Sequence, residues 1–222
     1  MRKLLQIACV VVALASMVSV ANADTTTNIV TNGTFQTTAT FNQYGYASVW
    51  HDSNALPGWT IGGDSIDIIS GDGTLWQAAP SGGNSVDLSG SAAGLTSQLL
   101  DTEPVGSYWT ISFYLAGNYG SPDDKYLQVS FGDMSWTFTV PGGNTAANMQ
   151  WQLITISNIQ IGTSPTALTF KSLTNSPWGP VIAGVSVVDP PPAVPEPTSL
   201  VLFGSGLMTA GGIVRRKFLN KR

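Results

Sequence analysis

The stretch Ser107–Asn118, SYWTISFYLAGN, alternates apolar and polar side chains with a period of two. Trp109, Ile111, Phe113 and Leu115 fall on one side of such a run; Tyr108, Thr110, Ser112 and Tyr114 fall on the other. A strand points successive side chains to opposite faces, so this pattern suits an element with one buried and one solvated face. It recurs at Leu127, Val129 and Phe131, at Trp136, Phe138 and Val140, at Trp151 and Leu153, at Leu168 and Phe170, and through Val181–Val188. Ile66–Ile69, Val86–Leu88 and Leu95–Leu100 are further candidates. Gly, Pro, Asn and Asp punctuate the runs, and no long helical period occurs between Asn28 and Val188. Some eight to ten short strands separated by turns predict an all-β, antiparallel sandwich.

No disulfide is expected to hold that sandwich. Arg2 and Lys3 precede the apolar run Leu4–Val20, and Ala21-Asn22-Ala23 supplies the small residues that a signal peptidase requires. Residues 1–23 therefore read as a signal peptide, with the mature chain starting at Asp24; the polar Asp24–Thr27 that follows argues against an uncleaved membrane helix. Cys9, the single cysteine, lies inside this segment, too early in the apolar run to be a lipid-anchored cleavage site. Its removal leaves no thiol for a disulfide, a nucleophile or a zinc site. The roughly 170 residues from Asp24 to Ala193 are enough for one domain with its own core.

Charge is segregated. Of the nine Lys and Arg residues only Lys125 and Lys171 lie in the middle of the chain, against twelve acids between Asp24 and Asp189, a net charge near −10. Such a surface repels phosphate backbones, which excludes nucleic-acid binding as a function.

Catalytic groups are scarce. The region carries one histidine, His51, and one glutamate, Glu103, and no nucleophile-elbow motif accompanies His51, which reads as a loop or strand residue beside Trp50. Asp64 and Asp67 form an acid pair of the kind glycosidases use, but Asp-Ser-Ile-Asp suits turn and strand-surface positions better. Asp123-Asp124 after Pro122 reads as a loop tip. No catalytic or metal-binding residue is assigned. One internal echo stands out: Gly63-Asp64-Ser65-Ile66-Asp67-Ile68 against Gly83-Asn84-Ser85-Val86-Asp87-Leu88. It describes either two strands with one polar face each or a shared rim on which Asp67 and Asp87 meet a ligand. All seven tryptophans lie in the same region. Trp109, Trp136 and Trp151 fit core positions, whereas Trp50, Trp59, Trp76 and Trp178 sit among turn-forming residues. An indole beside carboxylates stacks on a sugar ring while hydrogen bonds hold its hydroxyls. The candidate ligand set is Trp59 and Trp76 with Asp64 and Asp67; the competing reading makes Trp59, after Pro57-Gly58, a plug for one end of the sandwich.

The carboxyl end has its own order. Residues 190–194 are proline-rich and form a semi-rigid spacer. Pro195-Glu196-Pro197 fixes a non-helical stretch, Leu200–Val214 is apolar, and Arg215-Arg216-Lys217 is a basic stop that favours the cytoplasmic side. Fifteen residues are short for a bilayer, but with Thr198, Ser199 and snorkelling cations the segment is expected to cross a thin one as a single helix. In order, spacing and position, residues 195–217 resemble a PEP-CTERM sorting signal, with 218–222 as a tail. The resemblance implies a Gram-negative host that makes exopolysaccharide. It also implies processing by an exosortase in the inner membrane, then release or transfer to the cell surface.

The segments NIVTNGTFQ, LPGWTIGGDSIDII, GGNSVDLSGSAAGLTSQLL, YWTISFYLAGN and GPVIAGVSVV, in that order from Asn28 to Val188, resemble the choice-of-anchor C family. That family is related to galactose-binding-like domains of plant cell-wall proteins, and the resemblance implies a jelly-roll sandwich over residues 24–189. Relatives of this fold often hold a structural calcium through an acid after the opening Asn-Gly-x-Phe and an Asp in the closing strand. Gln36 and Ala183 stand there instead, which undercuts the site because calcium wants six to eight oxygens with net negative charge. The expected protein is exported, non-catalytic and extracellular, sorted by exosortase, and either binds carbohydrate or adds structure to an exopolysaccharide layer. The alternatives are a permanently anchored periplasmic binding domain and, behind it, a glycan hydrolase.

Overall fold

A computed structural model describes residues 26–51 and 54–189. The proposed signal peptide with Ala21 and Ala23, the linker, the sorting motif, the apolar stretch and the basic stop lie outside the described residues. Eleven strands form: Tyr46–Trp50 (β1), Thr60–Gly63 (β2), Ser65–Ile69 (β3), Ser85–Asp87 (β4), Gly94–Leu100 (β5), Tyr108–Gly117 (β6), Lys125–Phe131 (β7), Met134–Val140 (β8), Gln152–Gln160 (β9), Thr166–Ser172 (β10) and Pro180–Val188 (β11). Among the described residues no helix is long and apolar enough to cross a membrane. All pairings are antiparallel, in a six-stranded sheet of order β1-β3-β4-β11-β6-β9 and a five-stranded sheet of order β2-β5-β10-β7-β8. The described residues form an all-β jelly-roll sandwich.

The period-two runs face where the alternation puts them. In β6 Trp109, Ile111, Phe113 and Leu115 are buried while Tyr108 is exposed. They meet Ile66 and Ile68 of β3, Val86 of β4 and Ile182 of β11 from their own sheet, and Leu127, Val129, Phe131, Leu168 and Phe170 from the other, in one core cluster. Aromatic rings carry the core across the gap between sheets: Phe113 meets Phe170 edge-on at 5.1 Å between centroids and Phe138 at 6.0 Å, and Trp59 lies 5.3 Å from Phe35. Each such ring, once buried, contributes roughly 1.5–3 kcal/mol from apolar area alone.

The first residues close one side. Asn28 accepts the Val187 N–H through its side chain, Ile29 donates to Val187 O, and Val185 donates to Gly33 O, so the opening segment runs beside the second half of β11. A Cβ at Gly33 would stand 2.1 Å from Val185 O, so this approach admits only glycine. Gln98 of β5 holds the same region to the second sheet, accepting from Thr31 N at 2.7 Å and donating to Thr31 O and Gly58 O. Gln98 and Thr96 therefore point inward, and Leu99 outward, against the simple expectation for an apolar run.

Candidate functional site

The outer face of the six-stranded sheet carries an open cleft of ≈ 480 Å³. Alternation builds its floor. Ile66, Ile68, Val86 and Leu88 face the core, so Asp67 and Asp87 between them face outward, and the two acids are register partners across β3 and β4. In the same row Asp67 pairs with Ser48 of β1 and Asp87 with Val181 of β11. Ile69, Trp76, Ala116, Met149 and Val181 form a second, smaller apolar cluster on this side. Loops between strands supply the walls.

Asp87 is fully buried. Its Oδ1 accepts the backbone N–H of Ser89 at 2.8 Å and of Gly179 at 3.1 Å, and its Oδ2 accepts Asn118 Nδ2 at 2.6 Å. One carboxyl thus ties together the chain after β4, the end of β6 and the entry to β11. Burial pushes its pKa up to about 8, and the neighbouring Asp67 charge adds to the rise, while the bonds from Asn118, Ser89 and Gly179 pull the other way. Asp67 is different: its Oδ1 is buried without a hydrogen-bond partner, although the residue itself is only half-buried. Burial raises its pKa too, offset in part by the Ser48 hydroxyl.

Aromatic side chains surround this floor. Trp76 is 9% exposed; it donates its indole N–H to Tyr44 O at 3.0 Å and lies 4.6 Å from the Tyr119 ring. Tyr44 and Tyr46 stack at 6.4 Å. Tyr119 and Trp178, at 40% and 43% exposure, leave ring surface open to solvent. A Cβ on Gly120 would lie 2.3 Å from Trp178 Cδ1 and Nε1, so the loop after β6 needs its glycine to seat that indole. Together the lining joins five aromatic residues, two acids and Asn118, and it includes no Lys, Arg or His.

The residues singled out in the sequence separate here. Asp67 and Trp76 line the cleft together. Trp59 does not: it is 5% exposed, donates its indole N–H to Asn32 O at 3.0 Å, and packs among Phe35 and Phe170. The expectation that it stacks on a ligand is corrected, and the plug reading describes it. Asp64 is exposed just before β3 and accepts the Ser65 hydroxyl at 3.0 Å; it is not part of the cleft lining. Trp50 is exposed at the end of β1 and His51 is exposed in the turn after it. Trp109 is buried, and Trp136 and Trp151 pack half-buried against the two apolar clusters. Asp123 accepts from the Ser121 hydroxyl within its own loop, and Asp124 accepts from Gly142 N of the loop after β8. Of the inherited calcium positions, Gln36 is exposed and Ala183 is buried in β11 opposite Ser85 and Tyr114. An alanine methyl offers no ligand atom, so these residues do not fit the ion.

Tyr44, Tyr46, Asn118 and Tyr119 were not among the sequence candidates. The available signal was weak: Asn118 and Tyr119 directly follow the strongest alternating run, at the point where β6 leaves the sheet.

Fold and cleft define a β-sandwich domain with an aromatic and acidic cleft on one sheet. The chain belongs to a family described as Protein of unknown function (DUF642), whose profile matches residues 28–188. A PEP-CTERM protein-sorting motif matches residues 193–217, spanning Pro195-Glu196-Pro197 and Arg215-Arg216-Lys217. The motif marks a secreted protein with a transiently membrane-anchored carboxyl terminus that an exosortase processes. Halomucin from Haloquadratum walsbyi (strain DSM 16790 / HBSQ001) is 29% identical over 168 residues, which are 73% of this chain and 2% of that protein. Among solved structures, a cyclase from Fischerella sp. TAU is similar with a TM-score of 0.49 and 14% identity, covering 75% of this chain and 98% of its own. The carbohydrate-binding module TmCBM61, solved with β-1,4-galactotriose, is similar with a TM-score of 0.46 and 16% identity, covering 60% and 90%. A family 35 carbohydrate-binding module from Clostridium thermocellum has a TM-score of 0.41 and 14% identity, covering 64% and 97%.

Proposed function

We propose that this protein is an exported, non-catalytic glycan-binding protein of the cell surface or extracellular matrix, made as a precursor. In this reading signal peptidase removes residues 1–23, the sandwich of residues 24–189 is the working domain, and an exosortase acts at Pro195-Glu196-Pro197 while residues 198–214 sit in the inner membrane with Arg215-Arg216-Lys217 on its cytoplasmic side. The ligand is a polysaccharide of the surrounding layer.

The observation that carries the binding role is the cleft itself: Trp178 and Tyr119 exposed on its lining, Trp76 against Tyr119, and the half-exposed carboxyl of Asp67. A sugar ring needs those two things, an apolar plate for its C–H face and polar atoms for its hydroxyls. The same geometry weighs against hydrolysis. A glycosidase needs two carboxyl groups that reach the scissile bond. Asp87 has no exposed surface and its oxygens are taken by three N–H donors, so only Asp67 meets solvent.

A glycan array probed with the full chain tests this. Binding to a defined set of oligosaccharides is expected, weakened at least about tenfold, or about 1.4 kcal/mol, by Trp178→Ala. An array that stays blank, with the protein shown folded by its melting transition, sinks the glycan reading. A product of lower mass accumulating from a bound oligosaccharide sinks the non-catalytic one.

A further inference from the structure

The cleft's electrostatics restrict its ligand more narrowly than its shape does, and that restriction rests on the cleft being the glycan site. The lining holds two acids, side by side on β3 and β4, and no Lys, Arg or His. The oxygens of Asp87 are occupied from within the protein, whereas Asp67 stands half-exposed on the lining and its Oδ1 receives no hydrogen bond from the protein. A half-exposed carboxyl with so few donors from the protein gains from those a ligand brings. Around it, five aromatic residues line the same space. Ring faces attract cations, and a rim of them beside a carboxylate is a place of negative potential. The surrounding domain, with a net charge near −10, has the same sign.

A sugar hydroxyl donates one hydrogen bond to Asp67 and leaves its charge uncompensated. An ammonium on the same ring carbon donates up to three and neutralises it. A uronic acid brings a second like charge into a site with no cation to receive it. We propose that the sugar seated in this cleft carries a free, protonated amine, so that the ligands are glycans containing unacetylated hexosamine residues, with the ammonium against Asp67 and the ring on Trp178 and Tyr119. The raised pKa of Asp67 agrees with this, because the empty cleft disfavours the carboxylate and a bound cation favours it.

The test uses short oligosaccharides in matched sets: a free-amine form, its N-acetylated form and the neutral hexose of the same linkage, in gluco and galacto configurations. Calorimetric titration of the full chain in detergent micelles should show the free-amine member of one set binding at least about tenfold tighter than its two counterparts. That preference should shrink as NaCl is raised and disappear in Asp67→Asn, which keeps shape and melting temperature. Equal affinity within every set, or a preference that persists in Asp67→Asn, overturns the amine assignment and leaves the glycan reading standing. Amine binding that survives Trp178→Ala marks general attraction to an acidic surface and also overturns it. No binding in any set overturns both.

Discussion

Asp87 shows how one carboxyl serves three loops at once. Its folded pKa of about 8 stands above the ordinary 3.8 because burial outweighs the three N–H donors that favour the ion. Between those values the folded chain keeps a proton that the unfolded chain has released. Stability is therefore expected to fall as pH rises from about 4 to about 8, by up to about 1.4 kcal/mol per unit, and to level off above. Calorimetric melting between pH 5 and pH 8 reads this directly, and a flat profile would mean that the donors, not burial, govern the group. Asp87→Asn should remove the slope. At about pH 5 it should also lower stability by roughly 1–3 kcal/mol, because its amide nitrogen brings two N–H donors to a site built from three others, and the deficit should narrow as the pH rises. Lys125, buried at the start of β7, donates to Ser121 O and Asp123 O. Burial lowers its pKa against the attraction of Asp123, Asp87 and Asp124.

At the level of strands and loops, two glycines separate folding from function. Gly33→Ala drives a methyl into the Val185 carbonyl at 2.1 Å, between backbones that cannot give way. A loss of about 2–4 kcal/mol in denaturant unfolding is expected, with the cleft's ligand preference intact in whatever remains folded. Gly120→Ala meets the Trp178 indole, a side chain with room to swing outward. There stability should change by less than about 1 kcal/mol, while tryptophan fluorescence shifts and glycan affinity drops. A Gly120→Ala variant that binds like the wild type would show that Trp178 is no part of the ligand platform. The same scale explains what could be read beforehand. β6 was the most legible, with Trp109, Ile111, Phe113 and Leu115 inward in strict alternation; β7 turns Leu127, Val129 and Phe131 inward, β10 Leu168 and Phe170, and β11 buries Pro180 to Ala183 in a row before Val185 and Val187 alternate. β1 and β2 were not: β1 turns only Ala47 and Val49 inward, and half of β2 is glycine. β5 misleads because Gln98 is buried to hold Thr31 and Gly58, contacts 67 and 40 residues away. Trp59 and Trp76 share turn-rich surroundings in sequence, and only long-range packing sends one to the core and the other to the cleft. The Asp67–Asp87 echo carried real information, since its repeat places both acids on one face of neighbouring strands.

For the molecule as a whole, the sorting motif and the sandwich make separate demands. The secreted destination follows from the motif at residues 193–217, whereas the exact point of cleavage and the final location are open to measurement. Fractionation of cells with and without the exosortase should show a shortened product in the envelope or medium only when the enzyme is present. An unchanged full-length membrane band in both strains would make this a permanently tethered domain. The cleft adds a point about timing. Asp87 gathers its donors from chain segments up to 92 residues apart, the last of them Gly179 at the entry to β11. A polypeptide threading through the inner membrane in extended form thus owns every side chain of the pocket and no pocket. On the proposed glycan role, affinity switches on only when the closing strand docks, which would keep the travelling chain from sticking to polysaccharide before it has arrived.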